Sequence, residues 1–391
     1  MLGGIERLGV IDAPIDDALG LVLAADIVST ELVPPFANSA MDGYAVRAAD
    51  TGPGAELDVV ATIAAGTAPD VVVGAGQAAR IMTGAPMPRG ADAVIKVELT
   101  EVAGERVRLA DGVDVGRSVR PAGDDIGVGD VVLAAGAVMT PAAIAAAATI
   151  GRTTVPVVRA ARVGVFSTGD ELVGGGAPLG AGQIRDSNRH ALLALVRGVG
   201  AIPVDLGLVP DDERAIEAAL RWGVADCDAV VTSGGVSMGD FDFVKVVLDR
   251  IGEMRWMQVA IKPAKPLAYG TVEVAGRPVP VFGLPGNPVS SQVSFELFAR
   301  PALRIMMGHA TPDRRRLVAV APGGLARRVD GKVHFVRVRV GQGADGRFEV
   351  ESSGGQGSHH SVGMAAADGL AVLPDGDGVA PGGLVDVIPL G

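Results

Sequence analysis

Short apolar runs that stop abruptly at glycine, hydroxyl and acidic residues recur along this 391-residue chain. Three of them share one form. Val163 to Phe166 runs into Ser167, Thr168, Gly169, Asp170 and Glu171. Val230 and Val231 run into Thr232, Ser233, Gly234, Gly235, Val236 and Ser237. Val279 to Phe282 runs into Gly283, Leu284, Pro285, Gly286, Asn287 and Pro288. Each reads as a strand that ends in a polar loop. If the strands are parallel, all three loops leave one edge of one sheet, where open α/β folds take ligands. Such loops suit phosphates and a hard cation. Glycine bares backbone N–H groups, hydroxyls donate, and the carboxylates of Asp170 and Glu171 can hold Mg²⁺.

The surrounding pattern supports that sheet. Strands at 162–166, 202–208, 229–232 and 279–282 alternate with helical segments at 189–198, 212–222, 240–251 and 288–307. This is a βαβ series and predicts a parallel sheet with right-handed crossovers. Asp211 is the expected N-cap of the second helix, with Glu213 favouring its first turn. From Leu57 to about Leu133 the apolar runs are short and divided by Gly, Pro and Asp, the pattern of an all-β module. Residues 15–28 predict a helix, because Ile15, Ala18, Leu19, Val22 and Leu23 share a face. After Pro312 the pattern returns to alternation. Arg337 and Arg339 fall on one face and Val336, Val338 and Val340 on the other, which predicts a small C-terminal β-domain. The uncharged run Val131 to Gly151 is not read as a membrane span. Thr140 and Pro141 are an N-cap and first helical residue that split it into a strand and a short buried helix.

Length alone requires more than one domain. The net charge of −11 argues against bulk binding to nucleic acid or an anionic membrane, and 3% aromatics argue against a base-stacking surface. An anionic substrate then needs a local basic pocket. Lys262-Pro263-Ala264-Lys265-Pro266 offers one, since proline aims the two ammonium groups. A single cysteine, Cys227, excludes a disulfide framework and reads as a packed bystander. Met1–Val10 carries Glu6 and Arg7 and lacks a long apolar run, so a cytoplasmic protein is expected.

Several polar positions allow two readings. Asp186-Ser187-Asn188 can cap the helix from Arg189 or face the pocket. Asp242 can ligate a metal or water, or favour a helix dipole. Asn287 and Pro288 are explained as N-cap and first helical residue. Asp42, within Asn38 to Ala45, sits in a turn or serves catalysis, and Ile81 to Pro86 is equally open. His359 and His360 are adjacent and share no helical face, so no zinc site is expected. No strand–G-x-S-x-G–helix arrangement exists, so no serine triad is expected.

Taken in order, these segments resemble one family. They are NSAMDGYA (38–45), RIMTGAPMP (80–88), PAGDDI (121–126), STGDEL (167–172), IRDSN (184–188), TSGGVSMGDFDFVK (232–245), IKPAKP (261–266), GLPGNPVS (283–290) and QGSHHS (356–361). The set resembles the molybdopterin molybdenumtransferases and the E domain of gephyrin over nearly the whole chain. The resemblance implies a cytosolic homodimer. It implies Mg²⁺-dependent cleavage of adenylylated molybdopterin, release of AMP and insertion of molybdate to give molybdenum cofactor.

It also implies a multidomain α/β plus β fold. A discontinuous linker domain at 1–37 and 121–150 and a β-rich domain at 38–120 come first. A molybdopterin-binding βαβ domain at 151–308 and a β-barrel-like domain at 309–391 follow. By resemblance Asp42, Thr83, Asp125, Glu171 and Asp242 are catalytic, with Asp170, Glu171 and Asp242 associated with the metal. Substrate or molybdate contacts carry over to Ser167, Thr168, Gly169, Asp186, Ser233, Gly234, Gly235, Ser237, Lys262, Lys265, Pro285, Gly286, Asn287, Arg337 and Ser358. Molybdopterin adenylyltransferase and molybdoenzyme acceptors are the implied protein partners.

The chain departs from the family pattern at three places. Ala37 stands where an Asp is common, Ala264 replaces the usual Gly between the two Lys-Pro pairs, and Gln258 stands where a basic residue is expected. Two other functions compete. An adenylyltransferase would use similar TSGG loops, but the flanking β-domains and Asp42 argue for the transferase. A non-catalytic scaffold is disfavoured, because the sequence shows neither a long linker nor a fused adenylyltransferase domain.

Overall fold

The computed structural model describes residues 2–235 and 243–391. The chain divides into two compact units. One holds Asp12–Leu19 and Leu23–Pro156, the other Met1–Ile11, Gly20–Val22 and Val157–Gly391.

In the first unit a six-stranded sheet is built from β1 (Gly43–Val46), β2 (Glu56–Ile63), β3 (Gln77–Ile81), β4 (Ala93–Lys96), β5 (Thr100–Ala103) and β6 (Arg106–Leu109). Their order is β4-β1-β3-β2-β6-β5, and only the β2–β3 pair is parallel. Residues 27–28 pair with 131–133, and Val33 bridges Ile126. The helix read from Thr140 and Pro141 is present as α1 (Pro141–Thr149). The Thr140 hydroxyl accepts from the Ala143 N–H at 3.2 Å, and Pro141 supplies its pre-set φ where no N–H is needed. The helix expected at 15–28 is absent. A one-turn 3₁₀ helix at Ile15–Asp17 and short strands at Val22–Leu23 and Ile27–Val28 replace it. Gly20 at φ 80° breaks the helical path, Val22 and Leu23 are buried from a strand instead, and Leu19 is exposed.

The second unit carries the βαβ series. It runs β7 (Arg162–Thr168), α2 (Asn188–Gly198), β8 (Ile202–Val209), α3 (Glu213–Asp226), β9 (Ala229–Ser233), α4 (Phe243–Ile251), β10 (Gly252–Gln258), β11 (Pro266–Val274), β12 (Arg277–Leu284) and α5 (Pro288–Ser294). The strand order is β8-β7-β9-β12-β11-β10. The first four strands are parallel, as the alternation predicts. The last two pair antiparallel and extend the sheet beyond the four strands read from the alternation. A two-residue turn closes β11 onto β12, with Ala275 at φ 51° and Gly276 at φ 78°. Both residues are left-handed, as a tight hairpin requires, but Ala-Gly is a weak signal for it.

β7, β9 and β12 are apolar without alternation because both faces are covered. Val165, Val231 and Phe282 face α2 and the chain after α5, through Leu192, Val196, Phe295 and Leu303. Phe166, Val230 and Val281 face α3 and α4, through Ile216, Leu220, Val247 and Leu248. The long helix expected at 288–307 is interrupted. A π-turn at Phe295–Ala299 separates α5 from α6 (Arg300–Met306), just before Pro301, which has no N–H to give.

The C-terminal strands are β13 (Leu317–Ala321), β14 (Val333–Gln342), β15 (Phe348–Ser352), β16 (Gly369–Leu373) and β17 (Gly383–Pro389). They pair β14-β15-β13-β17-β16 and return to β14, so five strands close into a barrel. The short strand Ile261–Lys262 adds alongside β14. No helix among the described residues is long and apolar enough to cross a membrane.

Two side chains give stability predictions. Arg327 is 1% exposed and donates to the carbonyls of Lys332 (2.7 Å), Leu373 (3.1 Å) and Pro374 (2.8 Å), and to the carboxylates of Asp330 and Asp375. Arg327→Ala leaves those groups without their donor, and denaturant titration is expected to show a loss of roughly 3 kcal/mol. His309 is buried beside Arg304, and an Arg donates only, so the imidazole Nδ1 at 3.1 Å must accept. Burial, with Arg304 and Arg300 adding to it, pushes the imidazole down to about 4 from 6.5. The unfolded chain therefore binds the proton first. Stability present above pH 6.5 is lost as the pH falls through about 4. In His309→Gln, urea titrations across that range should lose this component of the acid sensitivity.

Candidate functional site

The three polar loops emerge at one level because the strand register sets them there. Ser167 pairs with Ser233, and Ser233 with Leu284. β8 lies on one side of β7 and β9 on the other, so the chain direction of assembly reverses beside β7. That is where open sheets leave a crevice at the carboxyl ends of their strands.

At the β7 end, the Thr168 hydroxyl donates to the Asp211 carboxylate, and the Asp211 N–H donates to Asp170 Oδ1 at 3.2 Å. Asp211 was expected to cap α3. The cap is Asp212, whose carboxylate accepts from the Ala215 N–H at 3.0 Å, so Asp211 is released to face Thr168 and Asp170. Two adjacent acids before a helix are a usable sequence signal, since one cap position accommodates one of them. Glu171 is exposed next to Gly169. A Cβ on Gly169 would come within 2.6 Å of the Glu171 carboxylate.

At the β9 end Gly234 sits at φ 96°, with its N–H donating to the Leu284 carbonyl at 3.1 Å. An added Cβ would stand 2.7 Å from the Thr168 carbonyl oxygen, and Gly286 comes within 3.8 Å of the Gly234 Cα by the same construction. The first and second loops, and the second and third, thus approach to backbone distance. Gly235, at φ 68°, is half-buried beside them. Pro285 is buried, while Gly286 and Asn287 are exposed. Asn287 occupies the N-cap position of α5 without a side-chain cap bond. Val236–Asp242, including the expected site residues Ser237 and Asp242, lie outside the described residues.

The triplet 186–188 divides its labour. The Asp186 side chain is buried and accepts from the Arg189 N–H at 3.2 Å and from its Nε at 2.8 Å, so it serves the start of α2. Asn188 instead reaches across the strand ends to Ser233 and to the Gly286 carbonyl. Beneath the loops Ser167 Oγ, Thr232 Oγ1 and Asn188 Oδ1 are buried without a hydrogen-bond partner. Such atoms are rare in a packed core and call for a polar partner.

Lys262 and Lys265 are exposed, while Pro263 and Ala264 between them are buried. Ala264 and Ile261 pack with Val289 and Val293 of α5 and with Phe335 of β14. Ala264 holds φ 77°, a left-handed conformation that glycine adopts freely and alanine does not. The loop 355–361 meets α5 as well, because the Val289 N–H donates to the Ser358 carbonyl at 3.0 Å. Arg337 is fully buried, whereas Arg339, expected on the same face, is exposed. The Arg337 guanidinium donates to the Gly355 and Gly357 carbonyls at 2.6 and 3.1 Å, and burial lowers its pKa. Its Nε and Nη1 have no hydrogen-bond partner among the described residues.

The first unit holds the remaining candidates. The Asp42 carboxylate accepts from both the hydroxyl and the N–H of Thr83, each at 2.7 Å. Those bonds hold it below the usual carboxylate range. Gly43, which follows, has no alternative: a Cβ there would stand 2.0 Å from the Ile95 carbonyl oxygen on β4. Asp125 lines a cavity of about 530 Å³ with Ile126, Asp130, Val131, Val132, Ala146 and Thr149, a lining that includes neither Asp42 nor Thr83.

Among the described residues no group of three or more His, Cys, Asp and Glu is arranged to hold a metal. The donors present suit Mg²⁺ better than a caged ion. That cation takes one or two carboxylates and completes its shell with water and substrate phosphates. Asp170 and Glu171 are exposed oxygen donors at the rim of the crevice.

Known proteins share this architecture. The chain matches the MoeA N-terminal region (domains I and II) over residues 5–151, a probable molybdopterin-binding domain over 164–305, and the MoeA C-terminal region (domain IV) over 326–390. It is 40% identical to molybdopterin molybdenumtransferase 2 of Mycobacterium tuberculosis over 376 residues, covering 93% of this chain and 91% of that protein. It is 38% identical to molybdopterin molybdenumtransferase of Haemophilus influenzae over 378 residues, covering 96% and 92%. A crystal structure of the molybdopterin biosynthesis MoeA protein from Pyrococcus horikoshii OT3 superimposes with a TM-score of 0.82 at 27% identity, covering 99% of this chain and 97% of that one. With identity at this level along nearly its whole length, the chain belongs to the molybdopterin molybdenumtransferase family, the transferases of molybdenum cofactor biosynthesis.

Proposed function

We propose that this chain inserts molybdate into adenylylated molybdopterin in a Mg²⁺-dependent reaction that releases AMP and yields molybdenum cofactor. The observation that carries the reading is the crevice at β7, β9 and β12. N–H and hydroxyl donors and exposed carboxylates meet there at one sheet edge, as a diphosphate with a hard cation requires. Ser167, Thr168, Gly169, Ser233, Gly234, Gly235 and Ser237, with Pro285, Gly286 and Asn287, bind the pterin phosphates in this reading. Asp186 orders the loop beneath them.

Lys262 and Lys265 neutralise the phosphates or molybdate, with Arg337 and Ser358 completing that region. Asp170, Glu171 and Asp242 hold Mg²⁺, which supplies charge neutralisation for the departing AMP phosphate. Glu171 and Asp242 are catalytic in this reading, as are Asp42, Thr83 and Asp125, and the Thr83 bonds favour the ionised form of Asp42. Asp211 joins the acidic rim beside Asp170. The working form is a cytoplasmic homodimer that receives substrate from molybdopterin adenylyltransferase and passes product to molybdoenzymes. The domains follow the boundaries 1–37 with 121–150, 38–120, 151–308 and 309–391.

The decisive assay follows AMP release and cofactor formation from adenylylated molybdopterin, molybdate and Mg²⁺. Glu171→Ala removes an exposed carboxylate, so folding should survive while the rate falls by about 100-fold or more. Chelation of divalent cations should stop wild-type release, and Mg²⁺ should restore it. Folded wild type that binds substrate without releasing AMP would sink the reading. Lys262→Ala removes a charge-assisted contact and should raise the KM for molybdate about tenfold, with kcat little changed. An unchanged KM would remove Lys262 from the oxyanion site.

A further inference from the structure

Asn188 makes the two short side-chain hydrogen bonds that join the second and third loops among the described residues. Its amide nitrogen donates to Ser233 Oγ at 2.8 Å and to the Gly286 carbonyl at 2.7 Å. A carbonyl only accepts, so the contacting atom is Nδ2 and the amide orientation is fixed by chemistry. Ser233, buried at the end of β9, reaches the Pro285 carbonyl at 3.4 Å, and Ser291 of α5 reaches Ser233 at 3.5 Å. These two are long contacts, so the short bonds of Asn188 dominate the junction. Asn188 is also the first residue of α2, a helix packed on the sheet through Leu192 and Val196. A rigid element therefore presents the amide, and two glycine-containing loops receive it.

We infer that Asn188 is a positioning residue for the transfer reaction. Through its two donated hydrogen bonds it holds the Ser233–Gly235 and Pro285–Asn287 loops in one arrangement, so that their N–H groups present a preformed cradle to the substrate phosphates. The inference rests on the reading of those loops as the phosphate site. Its physical content is that loops rich in glycine have low intrinsic order, and donors pre-aimed at an anion cost no reorganisation when it arrives.

Two near-isosteric variants separate clamping from space-filling. Asn188→Asp keeps the shape, cannot donate while ionised, and places an acid in the first turn of α2, where the helix dipole favours it. Asn188→Leu is neutral, of similar size, and also cannot donate. If Asn188 is a clamp, thermal stability of Asn188→Asp stays at or near wild type. Amide exchange at Gly234, which the Leu284 carbonyl protects, should accelerate about tenfold or more in both substrate-free variants. Both variants should then lose about 30-fold in kcat/KM for cofactor formation, the equivalent of two ordinary hydrogen bonds. The shared loss in Asp and Leu excludes charge repulsion as its cause.

Exchange and turnover like wild type in either variant overturn the clamp. Loss that tracks a lowered melting temperature, with loop exchange rising only as much as that of the sheet, also overturns it. Folded wild type with protected loops but no AMP release overturns instead the functional reading, and with it the role of Asn188 in transfer.

Discussion

Everything at the candidate site depends on the hydrogen-bonded register of three parallel strands. The pairing of Ser167 with Ser233 and of Ser233 with Leu284 brings three loops to one height. A shift of one residue on β9 would exchange Val230 and Val231 between the two helical layers. It would also carry Gly234 away from the Thr168 carbonyl, against which only a residue without a Cβ fits. Core packing on both faces thus enforces the register, and the register places the polar loops. The hydrophobic effect acts here as a ruler for groups that are themselves hydrophilic.

The central strands and their loops were legible in the sequence because continuous apolar runs ending in Gly and hydroxyls leave few alternatives. β10 and β11 were not. The strands read from the pattern pass from 229–232 straight to 279–282, and the Ala275–Gly276 turn before the latter carries a positive φ on an alanine. The helix expected at 15–28 failed for a related reason. Its apolar spacing fits a helix, but a short strand buries Val22 and Leu23, Leu19 turns to solvent, and Gly20 ends the helical path.

At the site, residue type was easier to read than residue duty. Sequence reasoning gave the cap to Asp211 and left Asp186 between a helix start and the pocket. In the fold Asp212 caps α3, and Asp186 is enclosed by Arg189. Adjacent polar residues point in different directions, and a one-residue difference in where a helix begins decides which one reaches the crevice. Arg337 illustrates the same limit. Alternation along β14 places it opposite the valines, yet nothing in the sequence indicates that loop 355–357 folds back to enclose it.

The closed barrel bears on the lysines in a way that chemistry alone does not suggest. A ring of five strands has no free edge along which a neighbour can slip. The short strand bearing Lys262 is bonded to β14 of that ring, and Ala264, just beyond it, is wedged among residues of α5 and β14. The two ammonium groups stand on exposed stems, but the backbone that carries them is paired and packed against the barrel rather than left as a surface loop. The result is two lysine stems that rise from one anchored stretch of backbone. On meeting an anion such a pair has only side-chain freedom to lose, whereas charges on a loose loop would have to order the backbone as well.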